Sequence, residues 1–327
     1  MAAESHQARY KSAVELRRSG GIGNLAQGPE IHAHGLATRL IAWPGTGFQT
    51  ESVHVVTVKP GQESERYAYQ LAEEAYLCHK GRGEVFLRGQ WREMKPGDMA
   101  YIPEGVERAL RNPGVNRADF CLINQITPPQ LDLYAPSGFY DQRHGVMNFP
   151  ACDKARLSAE PVEYSTHNEM GFHEHASEVR AWNLEPIDVR REGALFNVYM
   201  GARFAGLGVD SFRLILWPGA GTRTVGFNYT LWPGGVPEQL HTHPVSDECL
   251  ILWQGEAQFY MGSGWLDAVT NDCALAPCGV YHGTRNQADC IYGGFASPPQ
   301  LDLLMNSGYY RDGLFLPAPW ERLSHNG

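Results

Sequence analysis

Apolar side chains along three stretches of this chain recur at every second position. Phe227, Tyr229 and Leu231 form one run, Leu250 and Leu252 follow Glu248 in another, and Ala257, Phe259 and Met261 form a third. A period of two puts alternate residues on one face of an extended strand, so these runs predict short strands with one face turned to a core. The 36 Gly and 21 Pro suit many short strands joined by turns better than long amphipathic helices. The expectation is an all-β fold, and 327 residues with 43% hydrophobic content are enough for two cores.

An internal repeat organises the chain. Trp43-Pro44-Gly45 recurs as Trp217-Pro218-Gly219, Gly61 as Gly235, Glu74 as Glu248, Pro103-x-Gly105 as Pro277-x-Gly279 and Asn112 as Asn286, all 174 residues apart. After a short deletion, Pro128-Pro129-Gln130-Leu131-Asp132-Leu133 recurs as Pro298-Pro299-Gln300-Leu301-Asp302-Leu303. Five segments follow: an N-terminal arm over 1–35, a barrel over 36–141, a connector over 142–209, a second barrel over 210–312 and a tail over 313–327. The arm is expected to be a helix or extended segment packed on a barrel.

The second copy holds the chemistry. One stretch reads Gly235, five residues, His241-Thr242-His243, four residues, Glu248, six residues, Gly255; the other reads Asn271, five residues, Pro277-Cys278-Gly279, two residues, His282, three residues, Asn286. His241 and His243, two apart on an extended segment, project from one face. Glu248 comes an odd number of residues later, and a turn through Pro244, Ser246 and Asp247 resets its phase inward. His282 arrives from a distant strand. At the aligned positions of the first copy stand Tyr67, Tyr69 and Arg108, with Glu74 retained. Phenol and guanidinium offer no metal-binding lone pair at neutral pH, so Arg108 is expected to fill that centre as an ion pair with Glu74; a carboxylate ligand on Arg108 is the rival reading.

These motifs resemble the cupin superfamily, whose pattern has Gly where Asn271 stands. Asn tolerates the left-handed backbone that Gly supplies there. The resemblance implies two tandem double-stranded β-helix (jelly-roll) barrels and a metal held by His241, His243, Glu248 and His282 in the second. The mixed nitrogen and oxygen set suits one divalent transition metal per chain, Fe(II) or Mn(II) first, with Ni, Cu or Zn also accommodated. An octahedral ion would keep two open positions, as catalytic sites do. Asp247 is the competing carboxylate. Two further His-x-His pairs, His32/His34 and His173/His175 with Glu178, lack the flanking glycines and read as surface loops. Cys249 and Cys278 read as buried small apolar side chains.

Around the metal, Phe227, Tyr229, Phe259 and Phe295 are expected to line a substrate pocket, with Gly293 and Gly294 opening room where the first copy has Ile123 and Asn124. Tyr229 and Glu248 are the candidate proton-handling groups. Trp232, Trp253, Trp265, Gln258, Tyr260 and Tyr281 alternate the other way and are expected to face the sister barrel, the other sheet layer or another subunit.

A net charge of −9 without a long basic cluster argues against nucleic acid or anionic membrane as partner. No apolar run reaches the ~20 residues of a membrane span, and Met1 to Gly20 lack a hydrophobic signal core. Seven cysteines without CxxC spacing read as free thiols in a cytoplasmic protein. The function expected is a metal-dependent dioxygenase of a small aromatic or enolisable substrate with O2, similar to quercetinase-like bicupins. The alternatives are a non-oxidative hydrolase, lyase or isomerase of a small polar acid, similar to Mn-dependent ureidoglycine aminohydrolases, and a non-enzymatic ligand-binding cupin. The resemblance also implies a homo-oligomer.

Overall fold

The alternating runs are strands: Gly226–Asn228, Thr230–Trp232, Asp247–Gln254 and Glu256–Met261. The computed structural model describes residues 11–115, 117–158, 185–206, 209–299, 310–311, 314–315 and 320–322. Among them no helix is long and apolar enough to cross a membrane. The chain is mostly β and makes two cupin-type barrels, each from a large sheet faced by a three-stranded one. In the first barrel the large sheet runs in the order Ala194–Asn197, Asp98–Ile102, Glu73–Lys80, Phe120–Thr127, Ser52–Val58, Leu36–Ala42, Glu30–Ala33, and Gln90–Met94, Gly83–Leu87 and Ala109–Arg111 face it. In the second, Gly21–Asn24, Asp272–Ala276, Asp247–Gln254, Cys290–Ser297, Gly226–Asn228, Val209–Leu216, Met200–Gly206 and Trp320–Arg322 follow one another, faced by Gly264–Val269, Glu256–Met261 and His282–Arg285.

The strand order corrects the expected arm and connector. Each contains a helix and a strand that belong to the other barrel. Helix Ala13–Ser19 leads into Gly21–Asn24, which pairs antiparallel with 272–275 of the second barrel. Helix Pro186–Glu192 leads into Ala194–Asn197, which pairs with 98–101 of the first. The repeat thus starts earlier than the sequence motifs suggested. Ser12 and Glu15 form a capping box on the first helix, and Pro186 opens the second at a position where its missing N–H costs nothing. Gly20 (φ 62°) and Gly193 (φ 74°) link helix to strand, and at either a Cβ would meet a carbonyl oxygen of the receiving strand at 2.5 Å. Asn24 Nδ2 donates to Asp272 at 2.8 Å and Asn197 Nδ2 to Asp98 at 3.0 Å, closing the two exchanged strands in the same way. The exchange covers a sheet edge of each barrel that would otherwise expose unpaired backbone groups.

Two carboxylates repeat this reciprocity. Asp247 accepts from the backbone N–H groups of Gln49 and Thr50 in the first barrel, at 2.5 and 2.6 Å. Its counterpart Glu73 accepts from Arg223, Thr224 and Val225 in the second, at 3.1, 2.6 and 3.2 Å. Charge-assisted bonds of this kind, shielded from water, are among the stronger polar contacts a fold contains. Between the barrels lies one continuous apolar core that joins Val53, Val55 and Leu77 to Phe227, Trp253 and Phe295. A separate core fills the first barrel around Val56, Val85, Met94, Phe120 and Leu122.

Candidate metal centre

His241 and His243 precede the strand that carries Glu248, and His282 opens a strand of the facing three-stranded sheet. The backbones of His241 and His282 exchange N–H to carbonyl bonds, both 2.9 Å, so the ligands from the two layers are fixed to each other. The nearest nitrogen or carboxylate oxygen atoms of His241, His243, Glu248 and His282 all lie within 4.8 Å of one another. Nε2 of His282 is 2.8 Å and Nε2 of His243 3.4 Å from Glu248 Oε2, while Nε2 of His241 and His243 are 3.1 Å apart. On the far side of two rings, Nδ1 of His241 meets the Gln239 carbonyl and Nδ1 of His282 the Val280 carbonyl, each at 2.8 Å. Those carbonyls accept hydrogen bonds from Nδ1–H, which turns Nε2 of both rings inward as the atom available to a metal. His243, Glu248 and His282 are buried, and His241 is half-buried at the mouth.

The electrostatics fit a cation. Burial works against the Glu248 carboxylate, but hydrogen bonds and charge from His243 and His282 outweigh it and hold the carboxyl far below its usual range. Burial also opposes a charged His282, yet Glu248 pulls its pKa above 6.5. Burial, then the neighbouring His282, pushes His241 down toward the neutral ligand form. Three imidazole nitrogens and one anionic oxygen converging on one point are a donor set for a divalent transition metal, and no such crowding of lone pairs is favourable without a cation or a shared proton. Asp247, the competing carboxylate, points away and is used up by backbone N–H groups, including that of Cys278 at 2.7 Å. Asn271 sits at φ 73°, the left-handed conformation expected for it.

The first barrel has the same frame with a different filling. Arg108 pairs with Glu74, both 1% exposed, and its guanidinium lies 4.1 and 4.2 Å from the ring centres of Tyr67 and Tyr69. Tyr76 and Asn124 donate to the same carboxylate at 3.0 and 3.3 Å. The remaining cavity is about 20 Å³, roughly one water. Arg108 thus faces Glu74 as the sequence comparison of the two copies leads one to expect. His32 is exposed as expected, and His34 is a half-buried turn residue whose ring stacks on Tyr67 at 3.4 Å and whose Nε2 bonds Tyr69 at 2.7 Å. His173, His175 and Glu178 lie outside the described residues.

The expected pocket is corrected by register. Paired residues on neighbouring strands share a face. Glu248 pairs with Ala296 and Leu250 with Gly294, whereas Cys249 pairs with Phe295, Ile251 with Gly293 and Phe295 with Phe227. Phe227, Tyr229, Gly293 and Phe295 are therefore on the face opposite Glu248. There Phe227 and Tyr229 pack on Trp253 with centroids 6.4 and 5.9 Å apart, and Trp253 meets His79 of the sister barrel at 5.4 Å. Tyr229 is removed from proton handling by this position, and burial pushes its phenol up. The glycines open no cavity: a Cβ at Gly293 or Gly294 would strike the backbone oxygen of Asn228 or Cys249.

Phe259 does share the metal face, because Met261 pairs with His282 and Phe259 with Thr284. Trp232 and Tyr292, which sequence alternation left outside or unmentioned, also turn inward, 5.1 Å apart. Of the residues expected to face away, Trp253 meets the sister barrel, Tyr281 is exposed and Trp265 stacks under Arg285. Cys249 is buried as expected; Cys278 is exposed, its thiol 2.8 Å from the Pro244 carbonyl. A groove of about 1270 Å³ along Gly255, Gln258 and Arg285 includes none of the four ligand residues in its walls.

The family model of the Cupin domain matches this chain twice, over residues 54–124 and 227–291. Among solved structures, the putative glyoxylate-induced protein from Pseudomonas aeruginosa superposes with a TM-score of 0.53 at 12% identity, covering 86% of this chain and 88% of that one. The oxalate decarboxylase from Lactobacillus farciminis, in a formate complex, superposes with a TM-score of 0.50 at 14% identity, covering 85% of each chain. No curated protein matches the sequence. Residues 54–124 and 227–291 thus each match a Cupin domain, one in each half of the chain.

Proposed function

We propose that this bicupin is a metal-dependent dioxygenase that acts on a small aromatic or enolisable substrate at the His241, His243, Glu248 and His282 centre. The observation that carries the reading is the convergence of four metal-binding side chains in the second barrel, the one such group among the described residues, with His241 half-buried. Fe(II) or Mn(II) bound there would supply Lewis acidity toward an enolate or phenolate oxygen and a route for electrons to O2. The His241 and His282 rings are oriented by the Gln239 and Val280 carbonyls, and would act as neutral donors once a metal has displaced the proton of His282. Glu248 remains anionic and so serves as ligand, with the proton chemistry left to other groups. Phe259, Tyr292 and Trp232 provide flat apolar walls on the same face.

A second reading, a non-oxidative hydrolase, lyase or isomerase, is favoured by one observation. A further buried carboxyl, Glu238, lies near the centre with a pKa raised to about 7 by burial and then by Glu248, a value suited to acid–base work. Elemental analysis of the purified protein combined with oxygen uptake on catechol and acetylacetone separates the two. Near one equivalent of Fe or Mn with substrate-dependent O2 consumption supports the dioxygenase. Metal with no O2 consumption across such phenols and β-dicarbonyls rejects it in favour of the non-oxidative reading.

A further inference from the structure

Inside the metal barrel, three buried oxygens lie together with no hydrogen-bond partner outside their own group: Glu238 Oε2, Thr284 Oγ1 and Tyr292 OH. Glu238 is 6% exposed, Tyr292 1% and Thr284 not at all. Their placement follows from the strands. Thr284 is two residues beyond His282 on one strand and so shares its face. Tyr292 pairs with Leu252, which shares the face of Glu248. Glu238 reaches them from the segment before His241, its backbone N–H bonded to the Thr284 carbonyl at 2.7 Å. Thr284 lies between the other two, with its side chain in hydrogen-bonding reach of both. The trio therefore adjoins the metal centre.

The sister barrel lacks all three groups. At the positions 174, 174 and 170 residues earlier stand Ser64, Leu110 and Leu122. Ser64 is satisfied locally, its Oγ accepting from the Leu110 N–H at 2.9 Å, and both leucines belong to the closed apolar core. A buried oxygen short of hydrogen bonds costs roughly 1–3 kcal/mol, so three that have only one another, where the sister barrel has one serine and two leucines, call for a further bound partner. Aromatic rings flank them: Trp232 is 5.1 Å and Phe259 6.4 Å from Tyr292, centre to centre.

We infer that Glu238, Thr284 and Tyr292 form a substrate subsite that receives a hydroxyl or amide N–H group carried by a flat, metal-binding small molecule. The inference rests on the proposed metal site and names the part of the substrate that lies beyond the metal. Glu238 accepts the hydrogen bond, and Thr284 and Tyr292 complete the shell as donor or acceptor. Trp232 and Phe259 bracket the ring that bears the group. A ligand without it would strand the three oxygens, which is how such sites discriminate.

The test uses Mn(II)-loaded full-length protein and three probes, benzohydroxamate and its 3- and 4-hydroxy derivatives, by titration calorimetry. The expected result is that one hydroxylated probe binds about tenfold more tightly than benzohydroxamate. Glu238→Leu, Thr284→Val and Tyr292→Phe should each reduce that ratio of affinities at unchanged Mn content. The two isosteric variants keep the test valid if Glu238→Leu fails to fold. Equal affinity for all three probes in the unaltered protein would show that the trio holds only water and overturn the inference. Metal with no hydroxamate binding at all would overturn it too, by removing the open coordination positions. Failure of the protein to load Mn would instead reject the metal site beneath it.

Discussion

The two barrels share a frame and differ at its centre. Glu74 and Glu248 occupy equivalent positions, yet one is neutralised by Arg108 and the other faces three imidazoles. The first carboxyl is pushed up by burial, against which the Arg108 charge works; the second is held down because two histidines outweigh burial. A β-barrel with a buried carboxylate must supply it with a cation, and this chain shows two solutions, one built from protein and one awaiting a metal. The plugged barrel still works for the other. It donates strand Gly21–Asn24 to the metal barrel's sheet and anchors Asp247, the residue next to Glu248, through Gln49 and Thr50.

The sharpest way to break the comparison is to remove one cation and leave the carboxylate. Arg108→Ala should destabilise the protein by about 3–5 kcal/mol, because Glu74 is stranded; the paired Arg108→Met, Glu74→Leu variant should recover most of that loss in denaturant titrations. Neither should change the metal content. Next in size is the reciprocal clamp. Asp247→Ala is expected to cost about 3 kcal/mol through lost charge-assisted bonds, and Glu73→Ala a similar amount at the other barrel, measured by the same titrations.

Acid should separate the barrels further. In the metal-free protein His282 has a raised pKa, so its contribution to stability is complete below 6.5 and fades as pH rises through its folded value. Glu248 has a lowered pKa, so its contribution is present above 4.5 and is lost only as pH falls through its folded value. A metal must displace the proton that His282 shares with Glu248. Apparent Mn(II) affinity should therefore weaken from pH 8 to pH 6, with proton release detectable by calorimetry in two buffers of different ionisation enthalpy. The smallest effect expected is at Asn271, whose φ of 73° costs an Ala more than a Gly. Asn271→Ala should lose about 1 kcal/mol and Asn271→Gly should change little, as read from urea midpoints.

How much of this was legible in the sequence depended on what each residue had to satisfy. The four ligand side chains were legible because metal binding demands particular atoms at particular spacings, and Arg108 was legible because its counterpart was His282. The phase of Phe227, Tyr229 and Phe295 was not. Both faces of that sheet are buried, one in the barrel and one against the sister barrel, so apolar alternation carries no sign of inside. The exchanged helix–strand units were hidden because only Arg17-Arg18/Arg190-Arg191, Gly20/Gly193 and Asn24/Asn197 repeat between them, at an offset of 173 and not the 174 of the other motifs. Glu238, between Pro237 and Gln239, belongs to no motif, and only its burial against Thr284 gives it a role.

The central claim is that one barrel holds a metal and the other holds Arg108 in its place. Anomalous diffraction at the Mn edge, from crystals of full-length protein loaded with Mn(II), tests it directly. The account predicts one peak per chain, within coordination distance of His241, His243, Glu248 and His282, and none between Glu74 and Arg108. A peak in the first barrel, or none among the four ligands of the second, would contradict it.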